Sequence, residues 1–301
     1  MTPAMSASAS LLLRRMGRKT VATAFASQIP SSSSIATSSP IHLLKNSATR
    51  KMATMSAGSA LTKIASEHPH LDVLRYEHKN VKWTLKHIEF FSDALATGLV
   101  ENGLKPGDAV LSWLPSHFSE QLILQFACAK AGFVLYTLDP SQAITDPEGA
   151  KASLAKALEI TQATVLIQQE AGDDVNYVKL TESVIPETRI FAFQDGMPFF
   201  TPRYPNVRFV IQTGFDEEDK FGMLPLKWML VPSGDLDSQL EGATLNGSTP
   251  LMGELVMGKD GLPALGKVLT NEEVVKQNVW PEFVSVLKKD YKEIEGVGVV
   301  F

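Results

Sequence analysis

The sequence predicts an α/β protein with a mostly parallel sheet flanked by helices. Two observations carry this. From about residue 67 onward, helix-period and strand-like apolar patterns alternate, the βαβα rhythm of parallel sheets. The junctions between them carry capping and turn residues of the right kind. Taken in order, Thr84 is a good N-cap, and Leu85, Ile88, Phe91, Leu95 and Leu99 follow near the 3.6-residue period. Asn102-Gly103 supplies a left-handed stop, and Lys105-Pro106-Gly107-Asp108 reads as a turn. A short strand is predicted over 109–114. A second helix is predicted over 117–131, with Leu122, Phe126 and Ala129 or Lys130 marking its turns and Gly132 closing it. Residues 133–138 read as a buried strand ahead of Asp139-Pro140. Further strands are expected over 163–168, 189–193 and 208–213, and a helix over 147–159. A Thr270-x-x-Glu273 capping box opens a last helix over 271–289, which Pro281 kinks or splits. There is no internal repeat.

Composition limits the function classes. The chain has 301 residues, 28 Lys+Arg against 33 Asp+Glu, 44% hydrophobic residues and a single cysteine, Cys128. That length buries a substantial core and excludes wholesale disorder. One cysteine excludes a disulfide framework and a thiolate metal cluster. No uncharged apolar stretch reaches the length of a membrane span. Charge is unevenly placed: residues 1–66 hold eight of the basic residues and no acidic one, leaving 20 basic against 33 acidic residues in 67–301. A body with net charge -13 repels phosphates, so nucleic acid is not an expected partner.

The acid-free stretch reads as a targeting presequence and flexible linker, residues 1–66, ahead of a domain over 67–301. It is Ser- and Ala-rich, lacks a long apolar secretory core, and mixes Leu11-Leu12-Leu13 with Arg14, Arg15, Arg18 and Lys19. The concentration of arginine near the start favours a mitochondrial address, with plastid as runner-up. Cleavage is expected between residues 50 and 66.

Residues 83–140 resemble the N-terminal region of the AMP-forming acyl-CoA synthetases, the AMP-dependent synthetase/ligase family. That family has a helix ending in a Gly-Leu-x-x-Gly-Asp-type turn, matched by Gly98-Leu99 through Gly107-Asp108. An apolar strand with a Leu-Pro pair follows, here Val110 to Leu114-Pro115. Then come a helix with an Ala-Gly exit, here Ala129-Lys130-Ala131-Gly132, and a strand ending at Leu138-Asp139-Pro140. The resemblance extends over 67–290. It implies the fold of the synthetases' N-terminal subdomains, with the C-terminal lid domain absent.

The resemblance also implies a phosphate loop, a Ser/Thr- and Gly-rich segment ending Gly-x-Pro-Lys-Gly. An anion cradle needs small residues, free N–H groups and no carboxylate. The matching stretch is 256–270, where Gly258, Gly261, Pro263 and Gly266 keep the frame. Met257 stands for the leading hydroxyl, and Lys259 and Asp260 occupy two hydroxyl positions. Ala264-Leu265 stands where the lysine belongs, with Lys267 beyond it. The loop formed by Gly258, Lys259, Asp260, Gly261, Pro263, Gly266 and Lys267 is therefore expected to be degenerate and non-functional. No cofactor and no catalytic residue are expected. The family's adenine, magnesium and ribose segments would lie beyond Phe301.

Other constellations read as structural. His68, His70, His78 and His87 lack ligand spacing with Cys or paired carboxylates, so no metal site is expected. Ser116-His117 beside Glu120 falls at a helix start, where the three do not face one another. Cys128 reads as a small buried hydrophobe. The run Asp216–Asp219, and Asp235, Asp237 and Glu241, read as surface. Phe191, Phe193, Phe199, Phe200 and Tyr204 admit two readings, an irregular core connection or an exposed docking surface. Trp280, Phe283 and the tail 297–301 admit the same pair.

The resulting expectation is a catalytically inactive acyl-CoA-synthetase-like protein, an accessory subunit of an organellar assembly such as a respiratory-chain or ATP-synthase complex. Its partners would be other protein subunits, with any membrane association peripheral and through them. The alternatives are a non-catalytic acyl-, CoA- or nucleotide-binding module, and an acid–CoA ligase completed by another chain.

Overall fold

The computed structural model describes residues 55–294, apart from 78–79, 173–174, 192–197, 215–219, 221, 233–234 and 241. The first described element is helix α1 (Ala57–Glu67), with Ser56 as its N-cap. It buries Ala57, Gly58, Leu61 and Ala65 in the main core. The domain boundary expected after residue 66 is thereby corrected: residues 57–66 are part of the fold. Their Ser/Ala-rich composition resembles a linker, yet Leu61 and Ala65 lie four apart and form one apolar stripe.

Strands β1 (Asp72–Tyr76) and β2 (Val81–Thr84) form an antiparallel pair and lead into helix α2 (Leu85–Glu101). Thr84 caps α2 as expected, in a box completed by an unforeseen residue. The Thr84 N–H donates to Nδ1 of His87, and the His87 N–H donates to the Thr84 hydroxyl. Strand β3 (Ala109–Trp113) is followed by α3 (Ser119–Ala131), which starts two residues later than expected. Every residue of α3 is buried, so it is the central helix of its layer. Strand β4 (Val134–Thr137), the short α4 (Gln142–Thr145), α5 (Pro147–Thr161) and β5 (Val165–Gln168) come next. The two-stranded ribbon of β6 (Ala171–Gly172) and β7 (Val175–Asn176) precedes α6 (Tyr177–Val184).

The strand expected over 189–193 does not form in its described part. Pro186–Arg189 is a 3-10 turn, in which the Thr188 hydroxyl donates to the Ile185 carbonyl and Arg189 pairs with Glu182. Phe191 stacks edge-on against Phe199, ring centres 5.1 Å apart, so its apolar side chain is satisfied without a sheet partner. Strands β8 (Phe209–Gln212) and β9 (Leu224–Pro225), the short α7 (Leu236–Gln239), and β10 (Pro250–Met257) with β11 (Pro263–Thr270) complete the main sheet. Pro281 splits the last helix as expected, into α8 (Asn271–Gln277) and α9 (Pro281–Lys288). Strand β12 (Lys292–Ile294) then pairs parallel to β1.

The main sheet has the order β11-β10-β4-β3-β5-β8-β9, parallel throughout except for the antiparallel β10–β11 hairpin at its edge. Alternation along the strands divides the core. Val110, Leu135, Val165 and Ile211 face the layer of α1, α2 and α3, whereas Leu111, Tyr136, Leu166 and Val210 face α5 and α6. Helices thus cover both faces, which is why the central strands are mostly apolar on both. Trp280 and Phe283 belong to this interior: Phe283 stacks on Phe126 at 4.1 Å. Their reading as a docking surface is excluded. Phe193, the acidic run 216–219 and the tail 297–301 lie outside the described residues.

Candidate functional site

The stretch matched to a phosphate loop lies at the tip and return strand of the β10–β11 hairpin. Gly258, Lys259, Asp260 and Gly261 form the turn, and Pro263, Gly266 and Lys267 lie on β11. The turn is closed by its own backbone. The Gly258 N–H donates to the Leu262 carbonyl at 2.7 Å, and the Gly261 N–H donates to the Gly258 carbonyl at 3.1 Å. Gly261 has φ +74°, a left-handed conformation that side chains resist. A turn followed by a left-handed glycine is a standard three-residue hairpin connection, for which Lys-Asp-Gly is well suited.

Two carboxylates occupy two further donors. Asp260 folds back so that Oδ1 accepts the Leu262 N–H at 3.1 Å. Glu254 on β10 reaches across, and its Oε2 accepts the Lys267 N–H at 3.2 Å. Gly266 allows this: a Cβ there would lie 2.8 Å from Cβ of Glu254. The N–H groups of residues 258, 261, 262 and 267 are therefore bonded within the hairpin, two of them to negative charge. Such an arrangement does not fit a polyphosphate, which needs free donors and no carboxylate beside them. Lys259 and Lys267 are exposed, and so is Asp260. Opposite the bulge in β11, Gly253 makes room for Tyr136, whose ring carbon would lie 2.0 Å from a Cβ at that position.

The hairpin is anchored behind its tip. Thr270 and Glu273 form the capping box expected of them, and the Thr270 N–H donates to Glu273 Oε2 at 2.8 Å. These bonds hold the Glu273 carboxyl below its ordinary pKa, the backbone N–H contributing most. Asn271 beside it is buried, and its Oδ1 accepts the Ala57 N–H at 2.9 Å, tying α1 to the root of the hairpin. Its Nδ2 donates to the Thr249 carbonyl at 2.9 Å. No sequence signal points to that contact, since its partners lie 214 and 22 residues away. Glu254 also went unrecognised, because its partner is a backbone group across a bulge.

The other sequence candidates separate. His87 serves the α2 cap, and His68 follows α1 as its C-cap. The Glu120 carboxylate accepts from Ser119 Oγ at 3.0 Å, while His117 stacks on Phe118. Asp235 caps α7 through the Ser238 N–H. Cys128 is fully buried, and burial pushes its thiol pKa far up, consistent with an inert core residue. Unforeseen is Lys130, a buried ammonium on α3 that donates to Thr62 Oγ1 and Glu89 Oε1 at 2.8 Å and to Asp93 Oδ1 at 3.1 Å. It stitches α1, α2 and α3 together. No group of three or more metal-binding side chains occurs among the described residues, and no helix there is long and apolar enough to cross a membrane.

Residues 61–202, just under half of the chain, match the family model described as AMP-binding enzyme, a match consistent with an N-terminal part of that family. Among curated relatives, "Putative acyl-CoA synthetase YngI" of Bacillus subtilis is 29% identical over 159 residues, covering 52% of this chain and 27% of the relative. The medium-chain acyl-CoA ligase ACSF2, mitochondrial, of Bos taurus is 24% identical over 136 residues, covering 45% of this chain and 21% of the relative. The match thus spans about a quarter of these relatives' length. Among solved structures, the acetoacetyl-CoA synthetase of Streptomyces lividans superposes with a TM-score of 0.61 at 16% identity, over 80% of this chain and 38% of that one. At that identity the likeness establishes the fold, that of acyl-CoA synthetase N-terminal domains.

Proposed function

We propose that this acyl-CoA-synthetase-like chain is not a ligase but an accessory subunit of a mitochondrial protein assembly, of which a respiratory-chain or ATP-synthase complex is an example. One observation supports the loss of activity: at the phosphate-loop position the N–H groups of Gly258, Gly261 and Leu262 are bonded within the turn, the last of them to the Asp260 carboxylate. A phosphate charge held about 5 Å from that carboxylate is repelled by roughly 1 kcal/mol at the dielectric of water and roughly 3 kcal/mol at an effective dielectric of 20. Attack of a carboxylate on the α-phosphate of ATP, which transfers AMP to the acid and releases pyrophosphate, depends on positioning and charge neutralisation at the polyphosphate, and this turn supplies neither. The mitochondrial part of the reading is supported by the acid-free basic segment at the N-terminus and by the mitochondrial location of the ACSF2 relatives.

The test has two arms. ATP with magnesium at millimolar concentration should leave the thermal midpoint of the purified protein unchanged, since a ligand far below its dissociation constant adds no stability. Native-mass separation of gently solubilised mitochondria should place the protein in an assembly much larger than itself. Pyrophosphate release dependent on a carboxylic acid would overturn the non-catalytic reading. Recovery as a monomer at 32.8 kDa or below would overturn the subunit reading.

A further inference from the structure

We infer that two copies of this chain associate by antiparallel pairing of their β11 edges, with Leu265 of one copy opposite Val268 of the other and each Lys267 meeting the partner copy's Glu254. The inference is independent of the accessory-subunit reading. Strand β11 ends the main sheet, and no strand lies beyond it among the described residues. The hairpin tip fixes which of its backbone groups point outward. The bond from the Gly258 N–H to the Leu262 carbonyl makes 258 and 262 a hydrogen-bonded pair. Along an antiparallel ladder such pairs alternate with pairs whose N–H and C=O groups point away from each other. Ala264 therefore turns its groups toward Val256, and Leu265, opposite Leu255, turns them outward. Gly253 lies two residues before Leu255 and faces Val268, so Val268 has the same outward direction. Gly266 and Lys267 lie between the two and share the position opposite Glu254.

A two-fold axis through the bulge sets Leu265 against Val268 on both sides of itself, each pair exchanging both N–H···O bonds. Both side chains are about half exposed, so the seam also joins two apolar cross-strand pairs. Charge selects a second copy over an unrelated strand. A lysine on an edge ordinarily deters pairing. Lys267 is exposed, and among the described residues its ammonium makes no ion pair. In the two-fold arrangement it lies opposite Gly266 of the other copy. Glu254 lies against that glycine: a Cβ there would be 3.1 Å from Glu254 Oε2. With no side chain at 266 in the way, each Lys267 ammonium reaches the partner copy's Glu254 carboxylate. The same register brings the exposed Lys259 of one tip level with the start of α8 in the other copy, whose first turn carries Glu272 and Glu273. The edge is thus self-complementary in apolar pairs and in charge.

Sedimentation velocity on the purified full chain, over a hundredfold range of concentration, tests this. A species of 32.8 kDa should give way to one of twice that mass and to nothing larger. Lys267→Glu should weaken the dimer roughly tenfold, because two cross-strand pairs turn from attractive to repulsive. Glu254→Lys should do the same, and an equimolar mixture of the two variants should form heterodimers, whose seams carry opposite charges. Circular dichroism checks that each variant is folded. Where Glu254→Lys does not fold, Leu265→Pro, which removes an outward N–H on an edge strand, should abolish the dimer instead. A monomer at every concentration overturns the inference. So does an open-ended series of larger species, or a dimer indifferent to both Lys267→Glu and Leu265→Pro. None of these results bears on the accessory-subunit reading, which is tested by native mass in mitochondria.

Discussion

Asn271 carries more of the architecture than any motif would suggest. Its side chain satisfies one of the orphan N–H groups at the start of α1, away from water, and one half-buried carbonyl at the root of the hairpin. Replacing it with alanine leaves the buried Ala57 N–H without a partner, while the Thr249 carbonyl keeps the Asn271 N–H, a loss of about 1–3 kcal/mol. Urea unfolding of Asn271→Ala should show a lower midpoint with an unchanged slope. A change under 0.5 kcal/mol would mean that water replaces both bonds. Gly261 is a second single-residue determinant. Its φ of +74° disfavours any side chain, and Gly261→Val should destabilise by about 1–2 kcal/mol, because a β-branched residue resists the left-handed region.

Among the elements, α8 depends on its capping box. Glu273 is exposed and its carboxyl is held below the ordinary range by the Thr270 bonds. A depressed folded pKa contributes stability above the unfolded pKa, and that contribution is lost as pH falls through the folded value. Thermal midpoints measured from pH 7 down to pH 3 should therefore fall less steeply in Glu273→Gln than in the parent. Parallel curves would exclude this group as a source of the acid dependence. The edge strand β11 raises a different issue. Its bulge places Leu265 and Val268 on one face, both about half exposed, beside backbone groups with no strand on their outer side among the described residues. Open apolar edges invite pairing between chains. The isolated protein should scatter light on concentration, and the double change L265K/V268K should suppress this without lowering the thermal midpoint.

At the scale of the molecule, the two helical layers are held differently. One is bound through an apolar interior that includes the Phe126–Phe283 stack and the Lys130 network. The other rests on Trp113, Tyr136 and Tyr177, with the Tyr177 hydroxyl donating to the Pro140 carbonyl at 3.1 Å. Neither arrangement depends on the hairpin tip. The tip can therefore exchange its chemistry for tight-turn residues while the sheet behind it persists. On the non-catalytic reading proposed above, fold and function separate for a physical reason: the core specifies the scaffold, and a few residues at an exposed turn specify what it can bind.

Residues acting on near neighbours made the sequence legible. Thr84, Thr270 with Glu273, Gly132 and Pro281 set helix ends through contacts within four residues, and the strands at 109, 134, 165 and 209 follow from apolar runs bounded by turns. The segment 256–270 reads only as a phosphate loop, through the resemblance; that it is the tip and return strand of a β-hairpin is not foreseen. Tertiary structure alone decided the rest. It brought 57–66 into the core, gave the described part of the expected strand, 189–191, the end of a 3-10 turn and an aromatic pair instead, and set the strand order. It also directed Asp260 and Glu254 onto backbone N–H groups, and brought Asn271 and Lys130 to helices far away in the chain. Local propensity fixes what a segment forms by itself. Which buried polar group meets which partner depends on chain packing across a hundred residues or more, and no short-range pattern encodes that.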